Sequence, residues 1–292
     1  MKIGVDLGGS HISVGVITQD GKLIHKKEEN IDFINQKNIK NLIRDKIISL
    51  INHILNELQI TVSNIEEIGI GVPGIVNKNI IEKCEKYGIY NWNLAKELEE
   101  DYKIPINIQN DAICAAKAET QYGNLKGSKR AVFLCLGTGI GGATILENNI
   151  LPSEYGHLVI EKEGKLCHCK RRGCFETYSS MKSFKEGIIE LLELDNKTSS
   201  EELLSILEDK SNNEKLDRYI SDYIDILLIG ISNIINIVNP QKICIGGSFT
   251  YFEKVLYKRL VEKYKEINTQ FERPEIVLAK FQNEAGIIGA VL

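Results

Sequence analysis

The chain has 292 residues, 43% of them hydrophobic and 26% charged, which is enough to bury a sizeable core and suits two domains better than one. Its 36 basic and 40 acidic side chains leave a formal net charge of −4, without the positive footprint of a nucleic-acid binder; the basic triplet Lys170, Arg171, Arg172 is too short to reverse that balance. Met1 and Lys2 lead straight into an apolar strand with no signal-peptide core, and the longest apolar run, Ile226 to Ile231, falls well below the roughly 20 residues of a membrane span, so a cytoplasmic chain with no membrane and no nucleic-acid partner is expected.

The opening "IGVDLGGSHISVGVITQDGKLI" reads as strand, Gly-Gly turn, strand, Asp20-Gly21 hairpin turn and a third strand. Ile39 to Leu58 has apolar residues at 39, 42, 43, 47, 50, 51, 54, 55 and 58, the spacing of a long amphipathic helix that covers the first sheet. "IGIGVPGIV" (68–76) is a buried strand ending in a Pro-Gly turn, and "IPINIQNDAICAAKAETQYG" is a strand, a polar junction and an Ala-rich helix stopped by Gly123, with Asn110 or Asp111 as its N-cap.

Residues 131–151, "AVFLCLGTGIGGATILENNIL", repeat the opening plan, with Leu7-Gly8-Gly9-Ser10 falling on Leu136-Gly137-Thr138-Gly139 and Asn148-Asn149 as the second turn. A supersecondary unit that recurs after about 130 residues implies two related halves, each offering a glycine turn to a shared cleft. Helical patterns follow at about 181–194, 200–209 and 213–238, then strand "KICIGG", a helix to about 266, strand "EIVLA" and a small-residue helix at the C-terminus. This alternation predicts an α/β protein, with residues 1–112 plus about 281–292 in one domain and 113–280 in the other.

Glycine turns between strands let backbone N–H groups converge on a phosphate, since glycine accepts positive φ and has no side chain to hold the anion away. Gly8-Gly9-Ser10 and Gly137-Thr138-Gly139 both fit, with hydroxyls at Ser10 and Thr138; no Gly-Lys-Ser/Thr follows and a strand comes next, which excludes a P-loop and a dinucleotide fingerprint. Asp6 just before the first turn either caps it or holds a cation between itself and phosphate, for which Mg²⁺ is suited. Asp111 is either a further N-cap or, with Asn110 capping, a carboxylate able to accept a hydroxyl proton.

Seven cysteines, an odd count, favour a reducing compartment over a disulfide framework. Cys84, Cys114, Cys135 and Cys244 stand singly and read as small, buried or half-buried hydrophobes. "LCHCKRRGCFE" (166–176) gathers the other three beside Glu176 as a staple, a redox site or a metal knot.

"DLGGSH", "GVPG", "NDAICAA", "LGTGIGG", "EYGH", "CHCKRRGCFE" and "ICIGGS" stand in the order and spacing of the ROK family of sugar kinases and repressors, which the chain resembles over nearly its whole length. The resemblance implies a two-domain actin-like, ribonuclease-H-like sugar kinase fold with the active site in the interdomain cleft. It implies that both glycine turns hold ATP phosphates, that Gly246 and Gly247 lie against the adenosine, that Asp111 is the catalytic base, and that Gly74, Asn110, Glu154, His157 and Glu176 meet the sugar. It also implies a structural Zn²⁺ on His157, Cys167, Cys169 and Cys174, a closed tetrahedral set, and homodimers or homotetramers.

The chain departs from the family in having Lys170 where glycine is usual after the second cysteine, and His11 where Lys or Arg is common after the first turn; His168 is a second imidazole beside the expected ligands. The function expected from the resemblance is an ATP- and Mg²⁺-dependent hexose kinase acting on C6 of glucose, with N-acetylmannosamine or N-acetylglucosamine as the alternative substrate and a non-catalytic sugar sensor or transcriptional regulator as the alternative of another class.

Overall fold

The structure, a computed structural model, describes residues 1–8, 11–31, 38–147, 149–209, 213–268 and 270–292. Gly9, Ser10 and Asn148, named above, lie outside the described residues. The chain divides into two compact units, 1–126 with 283–292, and 127–282.

In the first unit, strands β1 (Lys2–Leu7), β2 (His11–Ile17), β3 (Leu23–Asn30), β4 (Ile68–Val72) and β8 (Ile106–Asn110) form a sheet in the order β3-β2-β1-β4-β8. Between β4 and β8 lies a smaller sheet of β5 (Ile75–Asn77), β6 (Ile80–Cys84) and β7 (Ile89–Trp92), in that order. Helix α1 (Ile39–Glu57) buries Ile43, Ile47, Leu50, Ile51, Ile54 and Leu55, the stripe expected from their spacing, and they join Ile3, Val5 and Leu7 of β1 in one core. The alternate positions of β1, Gly4 and Asp6, face the C-terminal helix Ala285–Ala290.

That helix comes in at backbone contact. An added Cβ would lie 1.9 Å from the Ala290 oxygen at Gly69, and 1.6 Å from the Cys114 oxygen at Gly289, so only glycine permits the approach. α2 (Leu94–Tyr102) packs beside β8, whereas α3 (Asp111–Gln121) packs on the C-terminal helix. This is why the division falls at Lys126/Gly127 and not near residue 112: α3 is bound into the first unit by the last residues of the chain.

The second unit repeats the first sheet. Strands β9 (Arg130–Leu136), β10 (Ile140–Leu146), β11 (Asn149–Pro152), β12 (Lys242–Gly246) and β13 (Glu275–Leu278) lie in the order β11-β10-β9-β12-β13. Two antiparallel and two parallel pairings occur in the same sequence in both sheets, the topological form of the repeat legible in residues 1–22 and 131–151. After the short helix α4 (Glu176–Ser179), helices α5 (Met181–Leu191), α6 (Ser200–Asp209), α7 (Glu214–Val238) and α8 (Lys258–Tyr264) pack on this sheet, and their buried residues share its core with Tyr155, Phe175, Phe249, Phe252 and Leu256. α7 has the length and mean hydropathy, 1.5, of a membrane-crossing helix; half of that apolar stretch is buried inside the unit, including Ile224, Leu227, Ile231, Ile234 and Ile235. Before α8 the chain turns more tightly and then more loosely, as 3₁₀ over Gly247–Phe252 and π over Glu253–Tyr257, while buried side chains pass from a spacing of three (Phe249, Phe252) to four (Leu256, Leu260).

Candidate functional site

On the first unit, the side chains expected to carry chemistry collect around the ends of β1, β4 and β8. Asp6 lies near the end of β1 against Gly286, whose added Cβ would sit 2.7 Å from the Asp6 Cγ. Gly71 on β4 separates it from α3: a Cβ there would be 3.7 Å from Asp6 Oδ1 and 3.6 Å from the Asp111 Cα. The first glycine turn begins with the Gly8 N–H donating to the His11 oxygen (2.9 Å).

Asn110 is the N-cap of α3. Its Oδ1 accepts from the Ile113 N–H (3.1 Å) and its Nδ2 donates to the Gly74 oxygen (3.0 Å). Asp111 occupies the first helical position and its Oδ1 accepts from the Ala112 N–H (2.8 Å). The cap and the candidate base are therefore different residues. Gly74 has φ +105°, and a Cβ would lie 2.2 Å from the Lys83 oxygen, so glycine is required where the Asn110 amide is received.

Burial first, and the Asp111 carboxylate second, push the Asp6 carboxyl up to about 7. Folded Asp6 keeps its proton to about pH 7, while the unfolded residue loses it near 3.8. Its contribution to stability is therefore complete below about pH 4 and is lost as pH rises through 7. Without nucleotide, the urea midpoint is expected to decline from pH 5 to 8, and Asp6→Asn to flatten that decline by up to a few kcal/mol.

On the second unit, the turn Gly137 to Gly139 joins β9 to β10, with the Gly137 N–H donating to the Gly139 oxygen (2.9 Å) and the Lys182 N–H donating to the Gly137 oxygen (3.2 Å). Gly247, at φ +75°, approaches the residue before this turn; a Cβ on it would be 2.6 Å from the Leu136 oxygen. Gly139 faces Glu176 instead, whose Oε2 would be 2.7 Å from an added Cβ. The two glycine elements expected to flank a nucleotide thus adjoin, and Glu176 adjoins one of them.

The segment 154–176 folds on itself through an Ile160 N–H to Gly173 bond (2.9 Å), a Cys167 N–H to Arg171 bond (2.8 Å) and a Phe175 N–H to Leu158 bond (2.8 Å). It brings His157, Cys167, Cys169 and Cys174 together with all four ligand atoms within 4.8 Å of one another. Cys169 Sγ is 3.6 Å from Cys174 Sγ, and Cys167 Sγ is 3.7 Å from His157 Nδ1. A tetrahedral ion with metal–sulfur bonds of about 2.3 Å needs sulfurs about 3.8 Å apart, so spacing and donor chemistry both fit zinc. His168 falls outside this four-ligand group and joins His157 and Glu176 instead.

The three thiols differ. Bonds from the Arg171 backbone and side chain bring Cys169 down to about 6, whereas burial, and donation to Glu176, push Cys167 up. Glu176, its side chain 11% exposed, receives the Cys167 thiol (3.0 Å) and His168 Nδ1 (2.9 Å) on Oε1. Glu154 is 78% exposed, with Oε2 3.9 Å from His157 Nε2. The nitrogen of His157 that faces the sulfurs and the one that faces Glu154 are opposite ends of the ring, so ligand and sugar-contact roles are compatible.

Lys170 has φ +68°, the left-handed backbone that makes glycine usual at this position. A non-glycine residue pays about 1–2 kcal/mol there, and glycine's greater freedom when unfolded returns about 0.4–1. Lys170→Gly is therefore expected to stabilise the metal-loaded protein by about 0.5–1 kcal/mol, a rise of roughly 1–3 °C in Tm by differential scanning fluorimetry.

Two residues of this region escaped the sequence reading. Gly71 is one of several glycines in "IGIGVPG" and has no local mark. Tyr87 is buried, and its hydroxyl donates to the Gly8 oxygen; the partners are 79 residues apart, and no local pattern connects them.

The glucokinase of Halalkalibacterium halodurans is 29% identical over 308 aligned residues, 98% of this chain and 92% of that protein. The xylose repressor of Bacillus spizizenii is 28% identical over 258, covering 84% of this chain and 64% of the repressor. A ROK family glucokinase from Streptomyces griseus, solved in complex with glucose and AMPPNP, superposes with a TM-score of 0.81 at 21% identity over 99% of this chain and 97% of that one. That likeness shows the fold, the two-domain α/β actin-like fold of ROK sugar kinases. Relatives of this chain thus include both a glucokinase and a xylose repressor, and the ROK family model matches residues 2–292: the chain belongs to the ROK family.

Proposed function

We propose that this protein is an ATP-dependent hexose kinase that phosphorylates a sugar hydroxyl, the C6 hydroxyl of glucose first, with Asp111 as general base. The observation that carries the reading is the division of labour at the start of α3: Asn110 caps the helix and holds the Gly74 carbonyl, while Asp111, one residue on, faces the same strand ends as Asp6.

Phosphoryl transfer needs alignment and neutralisation of charge more than covalent help from the protein. In this reading the Asp111 carboxylate takes the proton from the attacking hydroxyl, and Asn110, Gly74, Glu154, His157 and Glu176 bind and orient the sugar. Gly8, Gly9, Ser10, Gly137, Thr138 and Gly139 turn N–H and O–H donors to the phosphates, and Gly246 and Gly247 border the adenosine. Asp6 would hold Mg²⁺, which supplies charge neutralisation at the β- and γ-phosphates. His157, Cys167, Cys169 and Cys174 would hold zinc, which has no open position in such a set and fixes the loop that carries Glu154 and Glu176.

The test is ADP release with Mg-ATP across glucose, mannose, fructose, allose, N-acetylglucosamine and N-acetylmannosamine. Stimulation by glucose over a low sugar-free rate is expected; stimulation by an acetamido sugar alone would move the substrate and keep the chemistry. The xylose repressor relative supports a second reading, a sugar sensor, to which sugar binding without any stimulated turnover would transfer the protein.

A further inference from the structure

We propose that Tyr155 is a positioning residue for sugar binding: its hydroxyl fastens the segment 153–157 to β10 and so fixes the backbone that presents Glu154 and His157. The inference rests on the assignment of those two residues to the sugar made above.

The segment lies along β10, and each of its contacts falls on a different strand position. Gly156 comes in at Ile140, where an added Cβ would be 2.3 Å from the Ile140 oxygen. The Tyr155 ring covers Gly142, whose added Cβ would be 2.6 Å from Tyr155 Cδ2, and the Ser153 N–H donates to the Gly142 oxygen (3.0 Å). Thr144, two residues on and on the same face of the strand as Gly142, takes the polar ends: its Oγ1 meets Tyr155 Oη at 2.5 Å and Ser153 Oγ at 2.6 Å.

The direction of these bonds is set by where they end. Ser153 Oγ also reaches the Leu151 oxygen (3.4 Å), and a carbonyl only accepts. Each hydroxyl has one proton to give, so Ser153 donates to Leu151, Thr144 donates to Ser153, and Tyr155 donates to Thr144. The phenol thus heads a chain of three donors, each polarising the next. Tyr155 is buried, whereas the Glu154 side chain immediately before it is exposed. A carboxylate outside the packing is placed by its backbone, and the anchor beside it decides where it is presented. With Tyr155 in place the segment is ordered before sugar arrives, and the ordering cost at binding falls.

Tyr155→Phe keeps the ring on Gly142 and removes the hydroxyl alone. By isothermal titration calorimetry its Kd for glucose, or for the sugar of the panel that stimulates ADP release, is expected to rise roughly 3- to 10-fold, the equivalent of one hydrogen bond. The Kd for Mg-ATP is expected to stay unchanged, and in turnover the sugar KM rises more than kcat falls. Thr144→Val removes the acceptor at nearly the same shape and is expected to reproduce the effect, with the double variant no weaker than Tyr155→Phe because both act through one bond. Tyr257→Phe is the control: it removes a phenol bonded to the Ile276 oxygen at 2.8 Å in the same unit and is expected to leave both affinities unchanged. Unchanged sugar affinity in Tyr155→Phe, or Mg-ATP affinity lost in proportion, overturns the positioning role and leaves the kinase reading intact. Failure of the wild-type protein to bind any sugar of the panel overturns both.

Discussion

Asp111→Asn is expected to lower kcat about 10³-fold with the sugar that stimulates ADP release, within the 10²–10⁴ range of general-base catalysis, while the Kd values for Mg-ATP and sugar change by no more than a few-fold. The substitution is nearly isosteric. An asparagine Oδ1 can still accept from the Ala112 N–H, and the cap of α3 belongs to Asn110, so the helix start survives and the loss falls on proton acceptance. Asn110→Ala provides the contrast: it removes the cap and the bond to the Gly74 oxygen, costing about 1 kcal/mol of stability and raising the sugar KM. A kcat loss below about tenfold for Asp111→Asn would place the base elsewhere, because amide oxygen cannot replace a carboxylate in that role. The same substitution removes the Coulombic push on Asp6, so the pH dependence of unfolding should shift toward lower pH in the variant.

The parts of the fold that were legible in the sequence are those fixed by local pattern. The spacing of apolar residues from Ile39 to Leu58 reappears as the buried stripe of α1, and the strands on either side of the two glycine motifs, β1 with β2 and β9 with β10, belong to two sheets of one topology. The cap at Asn110 was readable because a polar pair at a strand–helix junction leaves few alternatives. The β5-β6-β7 sheet was not read: its strands are only three to five residues long, too short for a clear alternation, and Lys78 and Asn79 turn the first hairpin with positive φ and without glycine. The placement of α3 depends on the last ten residues of the chain, through the contact of Gly289 with Cys114, and spacing within α3 carries no trace of it. Tyr87 belongs to the same class, since a hydrogen bond to a carbonyl 79 residues away is a product of topology. In the cysteine segment the residue types were legible, whereas the partition of partners required coordinates: Cys167 Sγ lies 3.7 Å from Nδ1 of both histidines, only His157 joins the four-ligand group, and His168 is the nearer of the two to Glu176, at 2.9 Å against 3.6 Å.

That partition gives the second large expected effect. Cys174→Ser is expected to reduce zinc, measured by inductively coupled plasma mass spectrometry, from one per chain to below about 0.1, and to raise the sugar KM at least tenfold. Cys174 is fully buried, lies 3.6 Å from Cys169 Sγ, and stands two residues before Glu176. Serine matches its size and leaves Phe175 packed, so a small effect is what a purely apolar role for the thiol would give. A metal role predicts more, because a tetrahedral site with a hydroxyl in place of a thiolate loses most of the bonding that offsets bringing three anionic sulfurs together. Without the ion, the Cys167 thiol is a donor to the Glu176 carboxylate; with it, thiolate and carboxylate repel, and His168, 2.9 Å from the same oxygen, is left to hold Glu176 for the sugar. Metal loss is therefore expected to act on sugar affinity more than on Mg-ATP affinity. Wild-type protein without zinc, together with a Cys174→Ser variant of undiminished sugar affinity, would return the three cysteines to the status of buried, reduced thiols.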